Sequence, residues 1–201
     1  VRSDLWLIAT FSTVIFLTSL SAGFVMPFLN VYLADRLGAS TADVGLIFVI
    51  FSGVMVAAQL AGPALARRYG TVNTIWVGRL IAVPLMLSLV AVPNLLYTTF
   101  VISARSALVS LSWPLDNAFS IGLVSPRNAA KVTSARSISF NTGQAVASFI
   151  AGQVIIVLGY PPTFALSALL LLAAGIIHYR SFRRDDPHPG WRRPVAVVGE
   201  G

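Results

Sequence analysis

Long apolar stretches alternate with short polar breaks along this chain. Six stretches stand out, at 5–33, 42–66, 72–92, 95–123, 132–158 and 163–179. A hydrocarbon layer about 30 Å thick is crossed by a helix of roughly 17 to 25 mostly apolar residues, and each stretch reaches that length. In lipid the backbone finds no water, so each crossing segment must close its hydrogen bonds internally as a helix. The breaks carry turn chemistry. Gly38-Ala39-Ser40-Thr41 predicts a helix stop followed by an N-cap, and Tyr69-Gly70-Thr71 separates the second and third spans. Pro93-Asn94, Ser125-Pro126 and Gly159-Tyr160-Pro161-Pro162 mark the other turns.

Composition sharpens this picture. Hydrophobic residues make up 56% of the 201 positions and charged residues 10%. Soluble domains carry about a quarter charged residues, and a soluble chain this short could not hide so much apolar surface in one core. The expected class is therefore an all-α membrane protein with six transmembrane helices and the lipid bilayer as partner. There is no cysteine and hence no disulfide framework or thiol chemistry. The first apolar run exceeds the core of a cleavable signal peptide.

The net charge of +7 does not point to nucleic acid. The basic residues lie between apolar runs and near the C-terminus, without a basic, aromatic-interleaved stripe. Their distribution sets orientation instead. Arg2, Arg67, Arg68, Arg127, Lys131, Arg180, Arg183 and Arg184 fall on one side, and Arg36 alone on the other. Both termini are thus expected in the cytoplasm and the protein in the plasma (inner) membrane. Tyr32, Tyr97, Tyr160 and Tyr179 fall near span ends, as an aromatic belt would place them. Residues 1–4 form a cytoplasmic segment. Residues 181–201, rich in proline and including Trp191-Arg192-Arg193, are expected to be a disordered cytoplasmic tail.

An internal repeat divides the rest. Gly53, Ala57, Ala61 and Gly62 in the second span recur as Gly143, Ala147, Ala151 and Gly152 in the fifth, at an offset of 90. Pro27 and Asn30 of the first span recur as Pro114 and Asn117 of the fourth, at an offset of 87. Small residues four apart let helix backbones approach closely where apolar burial gives no driving force. Residues 5–92 and 93–180 are therefore expected to be three-helix repeats. Three is odd, so the second must enter from the opposite face, which is an inverted-repeat transporter design. Pro27 and Pro114 are the expected matched helix bends.

With these features the chain resembles the C-terminal six-helix half of a major facilitator superfamily transporter. Pro27-Phe28, Tyr32-Leu33, Leu37-Gly38-Ala39-Ser40 and Val44-Gly45 resemble the segment joining that family's seventh and eighth helices. The cytoplasmic loop signature, roughly G-x-L-A-D-R-x-G, is matched at Leu65, Ala66, Arg68 and Gly70. Pro63 stands for its first glycine and Arg67 for its aspartate, a degeneracy usual in second halves. Leu33-Ala34-Asp35-Arg36-Leu37-Gly38 matches the string better but lies in an external loop, so it is read as coincidence. Arg105 resembles the arginine of the family's fourth-helix R-x-x-x-G motif, with Val109 at the glycine position. The resemblance implies half of a major facilitator fold, with the first and fourth spans lining a central cavity and the third and sixth outside it.

Polar groups inside the spans are the candidate site. A charge at mid-bilayer costs between about 3 and over 10 kcal/mol unless a cavity or partner receives it. Arg105, Trp113, Asn117, Asn30, Gln59, Asn141 and Gln144 are expected to line the substrate cavity, with Ser19 contributing another hydroxyl. Asp116 lies well inside the fourth span, and Arg79 and Arg136 lie at similar depth. Asp116 is expected to pair with one or both as a gate lock, since two cations oppose proton binding by the carboxylate. Arg105 and Asp116, eleven apart, are expected on one face of a continuous helix.

The expected function is secondary active transport of a small-molecule substrate by alternating access, with the proton a candidate coupling ion. The alternative is a membrane subunit of an ATP-driven permease. No catalytic pair, metal cluster or cofactor motif appears, so neither enzyme activity nor a cofactor or metal is expected. A channel is disfavoured because filter-like glycine loops and N-P-A signatures are missing. A six-helix half leaves its cavity face open, so the expected partner is an N-terminal half or a second copy of the chain. Starting at Val1 and resembling a second half, the sequence is expected to be a piece of a longer protein.

Overall fold

The computed structural model describes residues 3–186. The described residues form eight α-helices in chain order: α1 (Asp4–Gly23), α2 (Leu29–Leu37), α3 (Thr41–Tyr69), α4 (Thr71–Ser88), α5 (Leu95–Ser110), α6 (Ser112–Leu123), α7 (Ala129–Leu158) and α8 (Pro161–Phe182). Together α1 and α2 make the first span, and α5 and α6 make the fourth. The count is thus six spans long and apolar enough to cross a membrane, as the hydrophobic pattern requires.

Local chemistry sets the ends of these helices. Gly38 adopts a left-handed φ of 67°, which a residue without a Cβ reaches at little cost. Its amide donates to Ala34 O at 3.1 Å, and the Ala39 amide to Leu33 O at 3.0 Å, closing α2. The string Leu33 to Gly38 is therefore the end of a helix. Ser40 then caps α3 in a reciprocal box, accepting from the Asp43 amide at 3.2 Å while its own amide donates to Asp43 Oδ2 at 2.9 Å. Asn94 caps α5 through the Tyr97 amide at 3.1 Å.

Two spans are broken and both breaks lie near prolines. Met26–Phe28, holding Pro27, is a 3₁₀ turn between α1 and α2. Leu111 separates α5 from α6, and Pro114 sits in the first turn of α6. Proline does not suffice by itself, because Pro63 and Pro84 lie inside α3 and α4 without interrupting them.

Helix α1 packs along α7 and α8, α5 packs along α3 and α4, and α4 also packs on α8. Glycine makes the closest crossings possible. A Cβ on Gly143 would overlap Ser19 Oγ and stand 2.9 Å from Phe16 O. A Cβ on Gly62 would meet Leu111 O at 2.7 Å, and one on Gly78 would meet Leu108 O at 2.9 Å. Such backbone approach is a main source of helix association in lipid.

The two ends of the bundle have separate apolar cores. Leu7, Phe11, Val72, Phe119 and Phe182 fill the end where the described residues begin and end, with Phe11 and Phe182 stacked at 4.4 Å. Tyr32, Tyr160 and Phe164 belong to the core at the far end. Tyr32 and Tyr160 sit at span ends as expected, but their rings pack on each other at 4.8 Å instead of forming a lipid-facing belt.

Carboxylates tie the terminal end together. Asp4 Oδ2 accepts from Ser125 Oγ at 2.5 Å and from Asn128 Nδ2 at 2.7 Å, joining α1 to the turn before α7. Asp186 accepts from the Thr71 amide at 2.8 Å and the Asn73 amide at 3.3 Å. It thereby caps α4, whose own N-cap residue is Gly70 and offers no side chain. Residues 181–186, assigned to the disordered tail from composition, are therefore placed by burial of Phe182 and by this cap. Arg2, and Trp191-Arg192-Arg193 with the rest of the tail, lie outside the described residues.

Candidate functional site

Two adjoining cavities run along the bundle, lined by the first, second, fourth and fifth spans. The larger, about 460 Å³, has Gln59, Trp113, Asn117, Arg136 and Asn141 in its wall. The smaller, about 300 Å³, is walled by Met55, Arg105, Ser106, Ser110 and residues shared with its neighbour. Gln59, Trp113 and Phe140 border both. The Trp113 and Phe140 rings meet edge to face at 4.9 Å where the two spaces adjoin. No residue of α4 or α8 is in either wall, so the third and sixth spans stand outside.

Five of the seven residues expected at a cavity are thus brought together: Arg105, Trp113, Asn117, Gln59 and Asn141. Two are not. Asn30 lies beyond the break in the first span and is exposed on α2. Gln144 is half-buried on the α1 side of α7, where its carbonyl lies 2.8 Å from a Cβ built on Gly23. Ser19 is fully buried and donates to Phe16 O at 2.9 Å, which makes it part of the α1–α7 contact.

Arg105 is 3% exposed. Its Nη2 donates to Ser21 Oγ at 3.1 Å. Ser21 Oγ in turn lies 2.9 Å from Ser167 Oγ, and Ser167 donates to Ser21 O at 2.7 Å. One hydroxyl node thus joins α1, α5 and α8 and holds the guanidinium at the cavity wall. Among the described residues Arg105 Nε has no hydrogen-bond partner, and neither has Ser106 Oγ beside it.

Asp116 points elsewhere. The break at Leu111 interrupts the helix between Arg105 and Asp116, so the continuous face expected from their spacing does not form. Asp116 Oδ2 receives Arg79 Nη2 at 3.0 Å, and Arg79 Nη1 also donates to Ala174 O at 3.4 Å. His178 Nε2 stands 3.0 Å from Asp116 Oδ1, within ion-pair distance when the imidazole is protonated. The pairing of Asp116 with Arg79 is therefore direct. Arg136 approaches differently, donating to the Asp116 main-chain carbonyl at 2.6 Å and to Ser120 Oγ at 2.5 Å. Its guanidinium also lies 5.8 Å over the Phe11 ring.

Sequence reasoning left His178 out of this cluster, since the sixth span reads as apolar all round and His178 looks like a span-end residue. It is fully buried. The available signal was depth: His178 lies within two turns of the same bundle end as Asp116, Arg79 and Arg136.

The loop motif lies at that end too. Leu65 and Arg68 are exposed and Ala66 is half-buried. Gly70 takes a φ of +89°, and a Cβ there would stand 2.5 Å from Asp186 Oδ2. Glycine is required on both counts.

Six apolar helices around a polar, arginine-bearing cavity define the class: an integral membrane protein built as a helical bundle. The chain belongs to the Major Facilitator Superfamily, whose model matches residues 11–199. It is 28% identical over 171 residues to the uncharacterized MFS-type transporter YttB of Bacillus subtilis (strain 168), over 84% of this chain and 42% of that protein. The in meso crystal structure of the POT family transporter PepTSo aligns with a TM-score of 0.81 at 17% identity, over 97% of this chain and 43% of that one. The second likeness is one of fold alone. The chain spans about two-fifths of the length of these relatives.

Proposed function

We propose that the chain supplies one six-helix half, by resemblance the C-terminal one, of a secondary active transporter that moves a small solute by alternating access. The carrying observation is the pair of adjoining cavities walled by the first, second, fourth and fifth spans, with Trp113 and Phe140 between them. Residues 5–92 and 93–180 act as inverted repeats. This is supported by the packing of α1 on α7 and of α5 on α3, which pairs the first helix of each repeat with the middle helix of the other. A second six-helix unit, an N-terminal half or another copy, faces the cavity. In support, α3 buries only Ile47 and Gly62 along its 29 residues, and Trp113 is 44% exposed at the cavity wall. Both termini are cytoplasmic, in an inner membrane, by the arginine distribution. The Asp116–Arg79–His178 cluster is a lock within the half.

The absence of cysteine makes the test direct. Single cysteines at Asn117 and Gln59, probed in right-side-out and inverted vesicles with an impermeant maleimide, should label from the cytoplasmic face. Labelling should shift when an ion gradient is imposed, with the proton gradient tried first. Equal labelling from both faces under every gradient would indicate a channel, and a shift that needs ATP and a co-purifying ATPase would indicate the permease alternative.

A further inference from the structure

We propose that the smaller cavity binds the carboxylate of an amphipathic, aromatic organic anion at Arg105; this rests on the transport reading above. A buried guanidinium demands a negative partner. Among the described residues the carboxylate at membrane depth is Asp116, and its ion-pair contacts run to Arg79 and His178. Among the described residues Arg105 has no such contact. Its single recorded hydrogen bond goes to the neutral Ser21 hydroxyl, although a guanidinium carries five donors in a planar fork. Arg105 Nε and the neighbouring Ser106 Oγ remain without partners. Buried polar groups are ordinarily satisfied, so an exception beside a cavity calls for an occupant.

The rest of the wall describes that occupant. Met26, Met55, Phe51, Phe140 and Trp113 surround Arg105 and Ser106 in a space of about 300 Å³. Thioether and aromatic surfaces accept a flat apolar body, and Arg105 fixes its charged end. A carboxylate is favoured over a neutral group because a guanidinium binds it through two parallel hydrogen bonds. An organic cation would meet Arg105 unscreened.

The test uses three isosteric probes, 4-fluorobenzoate, 4-fluorobenzamide and 4-fluorobenzylammonium, titrated onto the full chain in detergent. Fluorine NMR line broadening gives a dissociation constant for each. Wild type should bind the anion at least about tenfold more tightly than the amide, the size expected of a hydrogen bond to a charged group, and should show no saturable binding of the cation. Arg105→Gln should abolish this preference while binding the amide within about threefold of wild type. Arg105→Lys should fall between, since it keeps the charge and loses the fork. Trp113→Ala should weaken anion and amide alike, which locates both at this wall. The comparison of probes within the wild type does not depend on any variant folding. Equal binding of anion and amide, or an Arg105→Gln protein that still prefers the anion, overturns the proposal and leaves the cavity intact. That result is also expected if a carboxylate of a facing unit is the true partner of Arg105. Absence of saturable binding by any probe overturns the proposal. If the Asn117 and Gln59 cysteines then also fail to respond to a gradient, the transport reading falls with it.

Discussion

Replacing Asp116 tests whether the buried cluster is held by charge. Asp116→Asn keeps the shape of the side chain and removes its charge. Arg79, 1% exposed, can still donate to the amide oxygen and to Ala174 O at 3.4 Å, but its buried charge is left without a counter-charge. Removing one member of a buried pair typically costs about 3 to 5 kcal/mol, because the remaining charge stays desolvated and unpaired. The 3.0 Å contacts of Arg79 and His178 to Asp116 lose their ionic character, so at least about 3 kcal/mol is expected. Replacing the whole pair by apolar groups of similar volume is often neutral, so Asp116→Leu with Arg79→Met should recover most of that loss. Reversible unfolding of the purified protein in mixed detergent–SDS micelles measures both. An Asp116→Asn variant within about 1 kcal/mol of wild type would refute the reasoning, since it would fall below the cost of even one unsatisfied buried polar group. A double variant as unstable as the single one would show that shape, not charge, is what the site requires.

Three further outcomes follow from the geometry. Asp186→Ala should cost about 1 kcal/mol through loss of the tertiary cap on α4, read by the same unfolding assay. Gly70→Ala should cost about 1 to 3 kcal/mol, because a φ of +89° disfavours any Cβ and the new methyl would also crowd Asp186. Gly143→Ala should cost about 1 to 3 kcal/mol by forcing α7 off α1, whereas Gly53→Ala, with nothing within 4 Å of its Cβ position, should be neutral within about 0.5 kcal/mol.

The six spans were legible because lipid permits few alternatives: a stretch apolar enough to enter the bilayer satisfies most of its backbone as helix. The caps at Ser40 and Asn94 were legible for a related reason, since the first amides of a helix demand an acceptor and these side chains provide one close in sequence. The candidate site was legible where a polar group had to lie inside a span, as with Arg105, Asp116 and Gln59. What escaped the sequence was rotation and interruption. Spacing alone put Arg105 and Asp116 on one face, and the break at Leu111 separated them. As a polar group inside the first span Asn30 was expected at the cavity, and it lies beyond the 3₁₀ turn at Met26–Phe28, exposed on α2. His178 and Asp186 were missed because their partners lie on other helices, at Asp116 on α6 and at the first turn of α4, and nothing in their own neighbourhood announces them.

The matched small-residue rows show the same limit from another side. Gly143, Ala147 and Ala151 are buried on α7, and Gly143 and Ala147 meet α1 at Ser19 and Gly23. Of Gly53, Ala57, Ala61 and Gly62 on α3, only Gly62 is buried, beneath the Leu111 carbonyl. A residue two places along a helix points to nearly the opposite side, so a small rotation decides which row faces a neighbour. On α3 the residues turned inward are Phe51, Met55 and Gln59, and these line the smaller cavity beside Arg105. The small-residue rows of the two helices therefore do different work. On α7 the small row brings two backbones together and leaves no room between them. On α3, Phe51, Met55 and Gln59 share the wall of the smaller cavity with Arg105, and Gly62 lies beneath the Leu111 carbonyl.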